Sequence, residues 1–297
     1  DIIGIDISKD KLDFCILDAE KAEVKQRDVL TNDQKSIKKW LKQFDNKNVV
    51  FALEHTGHYG ANLAHCLTKY GFKYYLINPL TLKRSLGIQR GKTDEKDAYR
   101  IADYTLRHQH KMKAYELPTE NLRKLKALIT ARERYVKISV QIQNSLKANK
   151  ILNKTVDIKT LIKEEEKRLK NISEAIHNIE KEMKMIIESD TSLNKNYKKI
   201  TRVIGVGPIT ASKCIIETDN FLKFINGRKF SCHCGLAPFA YESGSSVKGK
   251  TKTHYLRDRP LKAIMIRSAI TAIQHDPQLK KYYERKLKEG KNEMTVK

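Results

Sequence analysis

Acidic residues are too few to balance the basic ones: 59 Lys and Arg stand against 35 Asp and Glu, which leaves a formal charge of +24 on 297 residues. That excess is far beyond what solubility needs and makes a polyanion, nucleic acid first, the natural counterpart. Long apolar runs are missing as well. None approaches the roughly 20 residues of a transmembrane helix, so no membrane partner is expected. The first residues read as a strand and not as a signal peptide. Cysteine is sparse, odd in number and scattered, at Cys15, Cys66, Cys214, Cys232 and Cys234. This pattern argues against a disulfide framework and favours a reducing, cytoplasmic compartment. Cys232-His233-Cys234 has a one-residue gap and no second ligand pair, which is poor spacing for zinc. Glycine is absent between residues 118 and 192, where the texture becomes helical. The chain begins at Asp1 without Met and ends at Thr295-Val296-Lys297 in polar sequence, so both ends are expected to be trimmed relative to the natural product. The 40% hydrophobic content suffices for real cores in two or three domains.

What is present begins with Ile2-Ile3-Gly4-Ile5-Asp6-Ile7-Ser8, an apolar strand broken by one carboxylate, and Leu12 to Leu17, which alternates like a second strand. An ionised Asp in such a strand must be solvated by something, and a divalent cation would supply the charge. Residues 24 to 31 read as a third strand and Asn32 to Phe44 as an amphipathic helix. Val49 to Leu53 form a fourth strand delivering Glu54 at its carboxyl end, where ligands gather in α/β domains. A helix through Cys66 to Tyr70 and a strand from Phe72 to Ile77, stopped by Asn78-Pro79, follow. Thr93 is placed to N-cap a helix whose Asp94 and Asp97, three apart, share a face. Three strands, helix, strand, helix, strand, helices is the RNase H order. Asp6, Glu54, Asp94 and Asp97 are therefore the candidate metal ligands and catalytic carboxylates. Hard oxygen ligands argue for Mg2+ or Mn2+, and two such ions about 4 Å apart would activate a nucleophile and stabilise the leaving oxygen.

From 118 to 192 the isoleucines and leucines fall at helical spacing. Leu169, Ile172, Ile176, Ile179, Met183 and Ile186 trace a heptad seam, and Asn153 to Asp157 offers a turn between two helices. The expectation is a coiled-coil arm joining protomers; the alternative is an intramolecular antiparallel hairpin. Further on, Gly205-Val206-Gly207-Pro208 leads into a helix and resembles a helix-hairpin-helix loop whose amides approach phosphate. A plain inter-helix turn fits it equally well. Tyr241 to Lys250 reads from composition as a flexible polar loop.

Gly4 to Lys9, Glu54-x-Thr56-Gly57-x-Tyr59, Asn78-Pro79, Lys92-Thr93-Asp94-x-x-Asp97-Ala98 and Gly235-Leu236-Ala237-Pro238 with Ser243-Gly244 together resemble the insertion-sequence one-ten family of DEDD transposases, relatives of the Piv invertase. The resemblance implies an RNase H/RuvC-like α/β domain over 1–117, a helical coiled-coil linker over 118–192 and a mainly helical transposase domain over 193–297. It implies a recombinase whose serine, matched by Ser243, forms a covalent link to DNA beside the metal-binding carboxylates. A bridge RNA would choose donor and target DNA, and the protomers would form a homo-oligomer, dimer or tetramer. Ser245 and Ser246 are lesser candidates for the nucleophile, and Lys92, Thr93, Gly205, Gly207, Lys248 and Lys250 are assigned to nucleic-acid contact. A metal-dependent junction nuclease, needing only the carboxylates, is the alternative.

Overall fold

The computed structural model describes residues 1–45, 48–55, 57–85, 87, 94–243 and 247–296, with the backbone alone at 95, 240–243, 247, 248 and 250. The chain divides into two compact units, Asp1–Leu117 and Pro118–Lys297.

In the first unit, β1 (Ile2–Ile7), β2 (Lys11–Leu17) and β3 (Val24–Thr31) form an antiparallel meander. Then come α1 (Gln34–Leu41), β4 (Val50–Glu54), α2 (Ala61–Lys69), β5 (Lys73–Ile77), α3 (Pro79–Ser85) and α4 (Asp94–His108). β4 runs parallel to β1 and β5 parallel to β4, so the sheet order is β3-β2-β1-β4-β5. This is the RNase H-like arrangement. Asp33 caps α1 by accepting from the amides of Lys35 and Ser36, while Pro79, expected only to stop a strand, opens α3 as a first-turn proline can.

The strand alternation sorts the side chains onto two faces. Ile3, Ile5, Ile7, Leu12, Phe14, Ile16, Phe51 and Leu53 join Trp40, Leu41, Leu63 and Leu67 from α1 and α2 in the main core. Burying each of these side chains contributes about 1.5–3 kcal/mol. The opposite face, with Ile2, Cys15, Leu17, Ala52 and Ile77, packs on Ala98, Ile101 and Ala102 of α4. Gly4 lies on this second face, two residues before Asp6. A Cβ there would stand 2.3 Å from the Ala98 carbonyl oxygen and 2.4 Å from the Ala102 nitrogen. Helix backbone thus rests directly on strand backbone, which explains a glycine in a strand interior.

The second unit opens with α5 (Glu120–Leu152) and α6 (Lys159–Ser189). Thr119 caps α5, and Asn153 Oδ1 accepts from the Ile158 amide to close the turn between the helices. The two helices are antiparallel: Arg132 pairs with Glu180 at 2.6 Å and Lys150 with Glu166 at 2.7 Å, so partners advance along one helix as they retreat along the other. Met183, with Ile179 and Ile186 beside it, packs against Leu122, Leu125 and Ile129. The heptad seam expected to join protomers is therefore engaged, at this end, inside the chain. The intramolecular hairpin forms because a short turn brings two apolar stripes together at little loop-closure cost.

Beyond it lie α7 (Thr191–Ile200), α8 (Pro208–Glu217), α9 (Gly227–Cys234), β6 (Phe239–Ser243), β7 (Val247–Lys252), α10 (Arg259–His275), α11 (Pro277–Lys288) and α12 (Glu293–Val296). The segment expected to be a flexible loop instead contributes two paired antiparallel strands, with Ser243 opposite Val247. Small polar residues near the tip obscured this, whereas Phe239, Tyr241, Val247 and Thr251 have the strand preference that decides it. Lys213 of α8 is buried and pairs its ammonium with the Glu133 carboxylate of α5.

Two substitutions test these contacts. Gly4→Ala is expected to lower unfolding free energy by about 3 kcal/mol, the upper end for overpacking, in denaturant titration; a change below about 0.5 kcal/mol, ordinary for a surface site, would contradict the close packing. Glu133→Ala, which leaves Lys213 buried without its partner, is expected to cost about 3 kcal/mol, whereas removing both partners as Glu133→Leu with Lys213→Met should recover most of it.

Candidate metal centre

Period-two alternation carries Asp6 onto the α4 face of the sheet, because Ile2 and Gly4 face that way. In the parallel ladder Gly4 pairs with Ala52 and Ile5 with Leu53, so the next positions along the two strands are Asp6 and Glu54. Glu54 is the last residue of β4. α4 begins at Asp94, and its contact with Gly4 brings the first turn, with Asp94 and Asp97, close to Asp6 of β1. Asp6 and Glu54 thus stand at the carboxyl ends of two neighbouring interior strands, with Asp94 and Asp97 of the helix start near Asp6.

A fifth carboxylate was missed in the sequence. Asp13 is directly opposite Asp6 in the β1–β2 register and is 7% exposed. The signal was available in the alternation of β2, where Asp13 shares a face with Cys15 and Leu17, but it emerges only once the strand pairing is known.

The electrostatics follow from this crowding. Asp6 holds its proton more tightly than an ordinary carboxyl, first because burial disfavours the charged form and then because Asp97, Asp94 and Asp13 repel it; the Ile7 amide acts in the opposite sense. Lys11 is the local counter-charge, with Nζ 2.8 Å from Asp94 Oδ2 and 3.1 Å from Asp13 Oδ2. These hydrogen bonds, that to Asp94 foremost, raise its own affinity for a proton. Arg100 Nη1 lies 2.7 Å from Asp97 Oδ1. Among the described residues, the one group of three or more metal-ligating side chains whose ligand atoms all lie within 4.8 Å of one another is elsewhere, at Glu217, His233 and Asp258. No three of the four carboxylates bring ligand atoms that close, and Lys11 and Arg100 pair with Asp94 and Asp97. Their hard oxygen donors suit magnesium or manganese, and the raised Asp6 is a carboxylate short of positive charge.

The remaining predicted residues lie in the second unit or outside the described residues. Lys92, Thr93, Ser245 and Ser246 are outside them. Ser243 ends β6, and Lys248 and Lys250 belong to β7, each described by backbone alone. Gly205 has φ +88°, and a Cβ on it would meet the Ser268 carbonyl oxygen at 2.2 Å, so it lets α10 approach closely. Gly207 is the N-cap of α8 with Pro208 following, and a Cβ there would meet nothing within 4 Å.

An RNase H-like sheet bearing carboxylates at the strand ends, on a strongly basic chain, defines a nucleic-acid-processing enzyme. A transposase family model, DEDD_Tnp_IS110, matches residues 3–156, and a second, for the transposase IS116/IS110/IS902 family, matches residues 197–284. The chain belongs to the IS110 family of transposases, and DNA is its substrate class. A pilin gene-inverting protein of Moraxella bovis is 23% identical over 303 residues, covering 99% of this chain and 90% of the relative. An insertion element IS110 uncharacterized 43.6 kDa protein of Streptomyces coelicolor is 32% identical over 94 residues, covering 31% of this chain and 22% of the relative. Among solved structures, T. thermophilus RuvC in complex with Holliday junction substrate is similar at 14% identity and a TM-score of 0.32, over 39% of this chain and 98% of that one. No helix among the described residues is long and apolar enough to cross a membrane.

Because the Asp6 pKa is raised from 3.8, its contribution to stability is fully present below that value and is lost as pH rises through the folded-state pKa. Asp6→Asn cannot ionise. In chelator it is expected to melt above the parent chain near neutral pH, with the gap closing in acid; a variant that melts lower at neutral pH would show that Asp6 is not under charge repulsion.

Proposed function

We propose that this protein is an RNA-guided serine recombinase of an insertion sequence, cutting and rejoining DNA through a covalent link to Ser243. The observation that carries the reading is the gathering of Asp6, Glu54, Asp94 and Asp97 on one face, with Asp6 raised by burial and by its neighbours. Family membership and the Ser243-Gly244 match support the nucleophile. Inversion of a pilin gene, named for the Moraxella relatives, is a reaction of the same kind, in which strands are broken and rejoined.

In this reading Ser243 Oγ attacks the scissile phosphorus. The Oγ–P bond forms as the bond to the 3′ oxygen breaks, and the leaving strand departs with a 3′ hydroxyl after taking up a proton. A second 3′ hydroxyl then attacks the phosphoserine, restoring the serine and joining the new strand, so the bond energy is conserved and no ATP is needed. Magnesium or manganese, held by Asp6, Glu54, Asp94 and Asp97, would supply Lewis-acid activation of the serine and charge compensation at the phosphate. Lys11 and Arg100, which pair with Asp94 and Asp97, would have to release those carboxylates for them to hold an ion. Lys92, Thr93, Lys248 and Lys250 contact phosphate, and the amides around Gly205 and Gly207 approach it at the start of α8.

Base choice falls to a bridge RNA pairing with donor and target DNA, since basic side chains on phosphate carry no sequence information. The domains are a RuvC-like domain over 1–117, a helical linker over 118–192 and a transposase domain over 193–297, acting in the cytoplasm as a dimer or tetramer. The half-exposed part of the seam, Leu169, Ile172 and Ile176, is the surface for protomer contact.

The test is a denaturing gel of the protein with element-end DNA, RNA transcribed from the element's flank, and Mg2+. A DNA-linked protein band is expected, lost in Ser243→Ala and in Asp6→Asn. Free cleavage products that persist in Ser243→Ala would replace this reading with a metal nuclease.

A further inference from the structure

A second polar cluster lies wholly within the second unit. Glu217 ends α8, His233 is in the last turn of α9, and Asp258 caps α10. One ligand atom from each lies within 4.8 Å of the others, and all three side chains are half-buried.

The spacing suits a ligand set. His233 Nε2 stands 3.4 Å from Glu217 Oε2. A charge-assisted hydrogen bond draws N and O to about 2.7–2.9 Å, whereas two ligands each about 2.0–2.2 Å from a tetrahedral ion stand about 3.4 Å apart. The groups are also held from behind, as ligands in metal sites are. Asp258 Oδ1 accepts from the Leu261 amide at 2.7 Å, and the Asp258 amide donates to the His233 carbonyl at 3.2 Å. The His233 ring packs on Phe224 with centroids 5.2 Å apart.

We propose that Glu217, His233 and Asp258 bind a transition-metal dication, zinc first, that staples α8, α9 and α10 together. The imidazole is a borderline donor and the two carboxylates are hard ones, a mixture that zinc accepts, and three protein ligands leave one position for water. Magnesium prefers all-oxygen octahedra and is disfavoured by the imidazole. Cys214 and Cys234 are buried but do not belong to this group of ligand atoms. His233 also lines a cavity of about 310 Å³ with Cys232, Phe239, His254, Leu256 and Arg257. Phe239 is the first residue of β6, so the staple stiffens the ground from which the strand carrying Ser243 rises. The site stands whether or not Ser243 is the nucleophile.

The full chain, stripped with chelator and returned to excess Mg2+ to occupy the carboxylate face, is titrated with Co2+. An equimolar amount is expected to give the d–d bands of four-coordinate cobalt(II), displaced by Zn2+, abolished by Glu217→Gln and by His233→Gln, and retained in Asp6→Asn. Parent protein without such bands, or bands that survive both substitutions, overturns the proposal. Should either variant fail to fold by circular dichroism, the parent alone decides: equimolar Zn2+ is expected to block diethyl pyrocarbonate modification of His233, mapped by mass spectrometry, and unprotected His233 refutes the site.

Discussion

Helix α4 rests its backbone on β1 because Gly4 has no side chain, and the carboxylate face depends on that contact. Asp6 is fixed by the sheet, as is Glu54, whereas Asp94 and Asp97 reach them only through the path α4 takes over the strand. Ala98 and Ala102 are the small residues on the helix side of the contact, and Ile101 anchors the same face against Ala52 and Ile77. The packing that builds this domain therefore also places its charges. Crowding follows at once: three other carboxylates raise Asp6, and Lys11 and Arg100 are drawn in against Asp94 and Asp97. A site that strains electrostatically in its free state is one that gains most from a bound dication.

The second unit uses the same device once more. Gly205, in the left-handed region, lets the backbone of α10 approach as Gly4 lets α4 approach. Around it, a buried ion pair joins α5 to α8, and the Glu217, His233 and Asp258 cluster joins α8, α9 and α10. These polar links join α5, α9 and α10 to α8, which also buries Ala211, Cys214 and Ile215.

The first unit was the more legible in sequence, for a physical reason. Its strands are apolar runs joined by short turns, Asp6 interrupts one run and Glu54 ends another, so strand order and half of the site emerged together. Asp13 escaped because its neighbourhood is set by cross-strand register, which sequence alone does not display. Gly4 was legible as part of a motif, but its contact with Ala98 and Ala102 joins residues nearly a hundred positions apart. In the second unit, the seam of Met183 suited two partners equally, another chain or α5, and only the folded geometry chose α5. The Ser/Gly-rich composition between β6 and β7 masked both strands, because small polar residues dominated a short window of sequence. The Glu217, His233 and Asp258 group was invisible for a related reason: His233 was weighed against its sequence neighbours Cys232 and Cys234, while its spatial partners come from two other helices.

The most direct measurement is the anomalous diffraction of manganese in crystals of the protein soaked with Mn2+. The account predicts anomalous density among Asp6, Glu54, Asp94 and Asp97, with Lys11 withdrawn from Asp94. Crystals that take up no manganese at that face, with Lys11 still on Asp94, would contradict it.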